Sequence, residues 1–134
     1  MNAPAMADTK DSALAVANSW VAAVNRQDLD GIVDNFASDA SFLGTSTKTL
    51  ISDAQGVRQY FANVFQAYAP FMVELGQVTV AQLSADSAVI TGFDHWKITV
   101  NGAPVDAIGR ISMTVAVRNG QWRIVSFHRS TMPN

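Results

Sequence analysis

A few side chains could carry chemistry in this sequence: two histidines, an arginine near the C-terminus and one tyrosine in an aromatic run. His95 lies in Phe93-Asp94-His95-Trp96, and an imidazole with an ordinary pKa of about 6.5 suits general acid or base work near neutrality. In strand alternation His95 shares a face with Phe93 and Lys97, so Asp94 and Trp96 point the other way and Asp94 cannot orient the ring directly. A polar position at a rim is the competing role. Tyr60, inside Tyr60-Phe61, is the second candidate, because a buried phenol needs a partner and can donate to a ligand carbonyl. Arg129 sits near the end of an apolar strand, where an inward charge is costly unless a carboxylate meets it. That carboxylate could belong to a ligand or to Asp94, Asp106 or Glu74, or the head could reach solvent. Arg110, His128 and Ser130 make a second polar cluster. A His/Ser nucleophile would also need an oriented base and an oxyanion hole, which residues two apart on one strand do not supply, so a hydrogen-bonded cluster at a subunit interface is the better reading.

Composition narrows the field. The chain has 134 residues, 49% of them hydrophobic and 15% charged, enough for one domain with its own core. The absence of cysteine removes disulfides, thiolate metal sites and cysteine nucleophiles. Two histidines rule out a three-histidine metal centre, and no metal site is expected. No Gly-rich nucleotide loop or flavin motif occurs, so no cofactor is expected. A net charge of -2 offers nothing to a phosphate backbone, so nucleic acid is not an expected partner. No apolar run approaches the roughly 20 residues of a bilayer span, and Met1 to Lys10 has no apolar export core. The sequence therefore reads as a cytoplasmic protein with no membrane partner, residues 1–10 as a flexible start and 11–134 as a single domain.

The elements that must position these groups follow from periodicity. Ala13, Val16, Trp20 and Val24 recur at helical spacing behind the capping candidates Asp11 and Ser12. Asp28 can cap a short second helix with Ile32, Val33 and Phe36 inward. Residues 40–43 read as a strand. Ser52 or Asp53 can cap a third helix in which Val57, Tyr60, Phe61, Val64, Phe65 and Tyr68 form an apolar stripe, and Pro70 stops it. From Met72 the period becomes two, giving strands at 72–83, 87–100, 104–118 and 121–131, punctuated at Asp86, Asn101-Gly102 and Asn119-Gly120. Helices first and then an antiparallel meander describe an α+β domain with the helices on one face of the sheet. Two closures compete at Asn119-Gly120. A two-residue turn pairs Arg118 with Gln121 and puts His128 beside Ile111 and Met113. A three-residue loop pairs Val117 with Gln121; it puts Arg129, Phe127 and Val125 with Ile111, Met113 and Val115, and leaves His128, Ser126, Ile124 and Trp122 on the opposite face.

The segment Gly120-Gln121-Trp122, an apolar strand and His128-Arg129-Ser130-Thr131-Met132-Pro133 resembles the association domain of calcium/calmodulin-dependent kinase II and its stand-alone bacterial relatives in the NTF2-like, SnoaL-like superfamily. Tyr60-Phe61 and Asn101-Gly102-Ala103-Pro104 extend the similarity. The resemblance implies a cone-shaped, cystatin-like α+β fold, a homodimer or larger assembly, and a pocket between sheet and helices. It implies no kinase activity, since the nucleotide loop and paired lysine are absent. In the kinase family the pocket is polar; matched residue by residue, its positions fall on Val57, Phe93, Met113 and Arg129, of which only Arg129 keeps the family's residue type, with an aromatic mouth position at Phe65. The three-residue loop is the register that brings Met113 and Arg129 to one face, and it is preferred for that reason. Arg110, His128 and Ser130 match the bacterial branch. The expected ligand site is thus Val57, Tyr60, Phe65, Phe93, His95, Met113, Phe127 and Arg129, an apolar pocket for a small amphiphilic or carboxylate molecule. The alternative is a ketosteroid-isomerase-style enzyme using His95 or Tyr60 on a polyketide-like or aromatic substrate, although no complete catalytic constellation is visible. A third reading is a scaffold whose outer sheet face, with Trp96 and Trp122, is buried between subunits.

Overall fold

The first helix, α1 (Thr9–Asn25), buries Ala13, Val16, Ala17, Trp20, Ala23 and Val24 along the stripe the spacing predicts. The structure is a computed structural model that describes residues 8–134. Residues 1–7 of the expected flexible start lie outside the described residues, whereas Thr9 and Lys10 belong to the first turn of α1, which begins ahead of Asp11 and Ser12. The Thr9 hydroxyl donates to the Ala85 carbonyl at 2.8 Å, tying that helix end to a distant turn. In α2 (Leu29–Asp34) the Asp28 carboxylate accepts the Gly31 N–H at 3.0 Å. This bond, reinforced by Arg26, holds the Asp28 carboxyl below its ordinary range. Asp53 caps α3 (Ala54–Tyr68) in the same way, accepting the Gly56 N–H at 2.8 Å.

Five strands follow the expected order: β1 (Phe36–Leu43), β2 (Met72–Ser84), β3 (Ser87–Val100), β4 (Ala103–Arg118) and β5 (Gln121–Thr131). Their sheet order is β1-β5-β4-β3-β2, antiparallel except for β1 against β5. The parallel pairing explains why β1 starts earlier than residue 40: Phe36 pairs with Ile124 on β5 and is the first strand residue, not part of the α2 stripe. The helices cover one face of this curved α+β sheet. Between them lies an aromatic core in which Phe42 stacks on Phe127 at 4.9 Å and Trp20 packs on Phe127 at 5.3 Å. Asn25 joins the two layers, its amide donating to the Val73 carbonyl at 2.9 Å and accepting the Val73 N–H at 2.8 Å, as a strand partner would. No helix of the described residues is long and apolar enough to cross a membrane.

The last hairpin corrects the expected closure. Arg118 pairs with Gln121 across a two-residue turn, with Asn119 and Gly120 both at positive φ (53° and 78°), the conformation that matches strand twist. The register then shifts: Val115 pairs with Ile124 but Thr114 with Ser126, leaving Val125 as a bulge. The bulge reverses the facing of the outer half of β5. Ile124, fully buried, therefore points inward near the turn, contrary to expectation, while Phe127 and Arg129 beyond it face inward beside Met113 and Ile111 as expected. His128 is on the outer face, opposite Ser112.

Candidate functional site

A cavity of about 230 Å³ lies between α3 and the inner face of the sheet. Its deep wall is aromatic, made by Trp20 of α1, Phe61 of α3, Trp96 of β3 and Phe127 of β5, all buried. Tyr60, Val64 and Tyr68 close it on the helix side, and Ile98 and Ala107 on the sheet side. The mouth is polar but small, with Thr45 and Ser46 from the loop after β1 and Thr131 at the end of β5.

Among the described residues, Arg129 is the one charged residue bordering it. It reaches from β5 across β4 to β3. Its Nε donates to both oxygens of Asp94 (3.0 and 2.9 Å), and its Nη2 to Oδ1 at 2.7 Å. Asp94 is fully buried and the arginine side chain only 13% exposed. Nη1 donates to the Thr45 hydroxyl at 2.8 Å, and the guanidinium carbon stands 5.7 Å from the Trp96 ring centroid. Of the two sources for the arginine's partner, the protein itself supplies it. Breaking such a pair from one side costs about 3–5 kcal/mol, because the surviving charge stays buried. A guanidinium has five N–H donors; these contacts leave one hydrogen on each terminal nitrogen uncommitted.

The crossing depends on Gly109. That residue is opposite Asp94 on β3 and Thr131 on β5, and a Cβ there would fall inside the Arg129 guanidinium. A glycine in the middle of an otherwise side-chain-bearing strand is a sequence signal for close approach, and Ile108-Gly109-Arg110 carried it. Gly44 has the same role at the mouth: a Cβ there would meet the Tyr60 ring, so the phenol lies directly against the loop backbone.

The site differs from the expected set. Tyr60, Phe127 and Arg129 border the cavity. Val57 and Met113 are buried core. Phe65 stacks on Phe71 at 5.5 Å, which in turn packs on Trp96, one layer behind the lining. Phe93 and His95 are corrected outright: Asp94 and Trp96 are the inward residues of β3, and Phe93 and His95 face outward. The reason is the frame of a strand of period two. Matching the kinase pocket position to Phe93 rather than its neighbour exchanges the faces. His95 stands between Glu74 (3.7 Å) and Asp106 (3.3 Å) on the outer face. The cluster of Arg110, His128 and Ser130 is also outward, with Arg110 Nε donating to the Ser130 hydroxyl at 3.2 Å and His128 exposed nearby on β5. Trp96 is buried inward and Trp122 pairs inward with Val117, so neither belongs to an outer-face interface. Thr45, Ser46, Trp96, Ile98, Ala107 and Thr131 were not anticipated as lining residues.

A family model described as a SnoaL-like domain matches residues 13–134. A protein from Xanthomonas campestris described as a calcium/calmodulin dependent protein kinase II association domain has a similar structure, with 26% identity over 90% of this chain and 86% of that one and a TM-score of 0.82. A ketosteroid isomerase-like protein from Erwinia carotovora atroseptica shares 18% identity over 92% of this chain and 96% of that one, TM-score 0.78. A protein from Streptomyces avermitilis, described as a dehydratase from the NTF2-like family, shares 13% over 94% and 97%, TM-score 0.83. With the helices on a curved five-stranded sheet and a model match over nearly the whole chain, this protein belongs to the SnoaL-like domain family and has its NTF2-like α+β fold.

Proposed function

We propose that this domain binds a compact, largely apolar small molecule in the cavity between α3 and the sheet, with Arg129 orienting one neutral acceptor oxygen. The carrying observation is the Asp94–Arg129 pair bordering an aromatic cavity. The pair is electrically neutral as a unit, so the site offers directed N–H donors without a net positive charge. A ketone, phenol or ether oxygen gains from such donors, whereas a carboxylate would have to share the arginine with the buried Asp94. A volume of about 230 Å³ suits one or two fused rings rather than a larger ligand.

Isothermal titration with 2-naphthol and with 2-naphthoate tests this. The expected result is measurable binding of 2-naphthol, weaker binding of 2-naphthoate, and loss of both in Ala107→Phe, which fills the cavity. Unchanged 2-naphthol affinity in a folded Ala107→Phe protein would sink the reading, and tighter binding of the naphthoate would restore a carboxylate ligand. His95→Ala leaves affinity unchanged, because the imidazole is on the other face of the sheet.

The acid/base reading keeps only Tyr60 of its two candidates, since His95 does not border the cavity. Self-association has support from the outer face, where Met72, Phe93 and Ile108 are exposed apolar side chains. A single monomeric species in sedimentation at micromolar concentration would contradict it.

A further inference from the structure

Tyr60, Val64 and Tyr68 form one row along α3, four residues apart, and together with Ser46 they border a second hollow of about 440 Å³ as well as the aromatic cavity. The second hollow is differently made. Thr47, Gln59 and Asn63 supply hydroxyl and amide groups, and none of the described residues around it carries a formal charge. Gln59 and Asn63 are one helical turn apart, and Gln59 Nε2 donates to Asn63 Oδ1 at 3.0 Å. That bond leaves the Gln59 carbonyl, its second N–H and both Asn63 N–H groups uncommitted. The single cation of α3, Arg58, is paired with Asp30 of α2.

Resting on the reading that the aromatic cavity holds a ring system, we infer that the two hollows take one ligand in two parts. The apolar ring lies inside, and a neutral appendage rich in hydroxyl or amide groups, of which a sugar is the simplest instance, lies over Gln59 and Asn63. A charged appendage would find no counter-charge there, and an apolar one would cover free amide donors and acceptors without pairing them. The residues shared by both hollows, Ser46 and the Tyr60 row, are where the two parts of the ligand join.

Isothermal titration of the full chain with 2-naphthol and with 2-naphthyl β-D-glucopyranoside reads this directly. The expected result is about tenfold tighter binding of the glucoside, as two or three net hydrogen bonds would give. In Gln59→Ala/Asn63→Ala the two ligands bind within about twofold of each other, with 2-naphthol affinity unchanged. Both positions are exposed, and thermal unfolding of the double variant verifies the fold. Equal or weaker binding of the glucoside by the unaltered protein overturns the inference, as does a tenfold preference that survives the double variant. Failure of 2-naphthol itself to bind overturns the cavity reading and this inference together; naphthol binding without a gain for the glucoside overturns this inference alone.

Discussion

Replacing Gly109 by alanine adds one methyl group and should cost far more than a methyl group. In a strand, Gly→Ala ordinarily stabilises by about 0.5–1 kcal/mol through the unfolded chain. Here the new Cβ falls inside the Arg129 guanidinium. The tip of an arginine is normally free to swing aside, but this one is held by bonds of 2.7–3.0 Å to Asp94 and 2.8 Å to Thr45. Moving it leaves a fully buried carboxylate without its counter-ion, a loss of about 3–5 kcal/mol. Subtracting the backbone gain leaves a net destabilisation of about 2–4 kcal/mol. For a domain of this length that lowers Tm by about 7–14 °C. The assay is denaturant unfolding of a double-mutant cycle, with Gly109→Ala made in the native protein and in an Asp94→Ala/Arg129→Val background. In that background the guanidinium is gone and the alanine should be neutral or mildly stabilising. Gly109→Ala that is harmless in the native protein, or equally costly in both, would refute the claim that this glycine exists to let Arg129 cross β4.

Asn25→Ala removes both bonds to Val73 and strands a buried N–H and C=O; the expected loss is about 2–3 kcal/mol, with faster amide exchange at Val73 in NMR. Gly44→Ala pushes the Tyr60 ring off the loop backbone and away from Phe42, its neighbour at 4.8 Å. It should destabilise by about 1–3 kcal/mol and weaken 2-naphthol binding, and an unchanged Tyr60 environment by NMR would count against it. Asp28 has its carboxyl held below the ordinary value of 3.8, first by the Gly31 N–H and then by Arg26. Its contribution to stability is therefore full above that value and is lost as pH falls through the lower folded one. Asp28→Asn keeps the cap but removes the titration, so its stability between pH 4 and pH 2 should fall less steeply than that of the native protein, measured by urea unfolding.

The sequence alone determined most of the elements, because local spacing and turn chemistry act within a few residues; the start of β1 at Phe36, set by pairing with distant β5, was the exception among the strands. The Asp28 cap, the four C-terminal strands to within a residue of their ends, and the α+β order all follow from period and punctuation, and the α3 cap was narrowed to Ser52 or Asp53, of which the structure uses Asp53. It also named Asp94 among three possible partners of Arg129. It did not determine which half of each strand faces the helices. That choice turns on single-residue frame, and nothing local fixes it where aromatic residues occur on both faces, as with Phe93 and Trp96. The Val125 bulge is a second case: the Asn119-Gly120 turn sets one register, and burying Ile124 together with Phe127 demands another, so the strand inserts a residue between them. The Arg129–Asp94 bond joins residues 35 positions apart across an intervening strand, and only the assembled sheet, with a glycine at 109, brings them into contact. Gly109 is a strand-interior glycine that the periodicity passes over, and what it makes room for is decided by the tertiary structure.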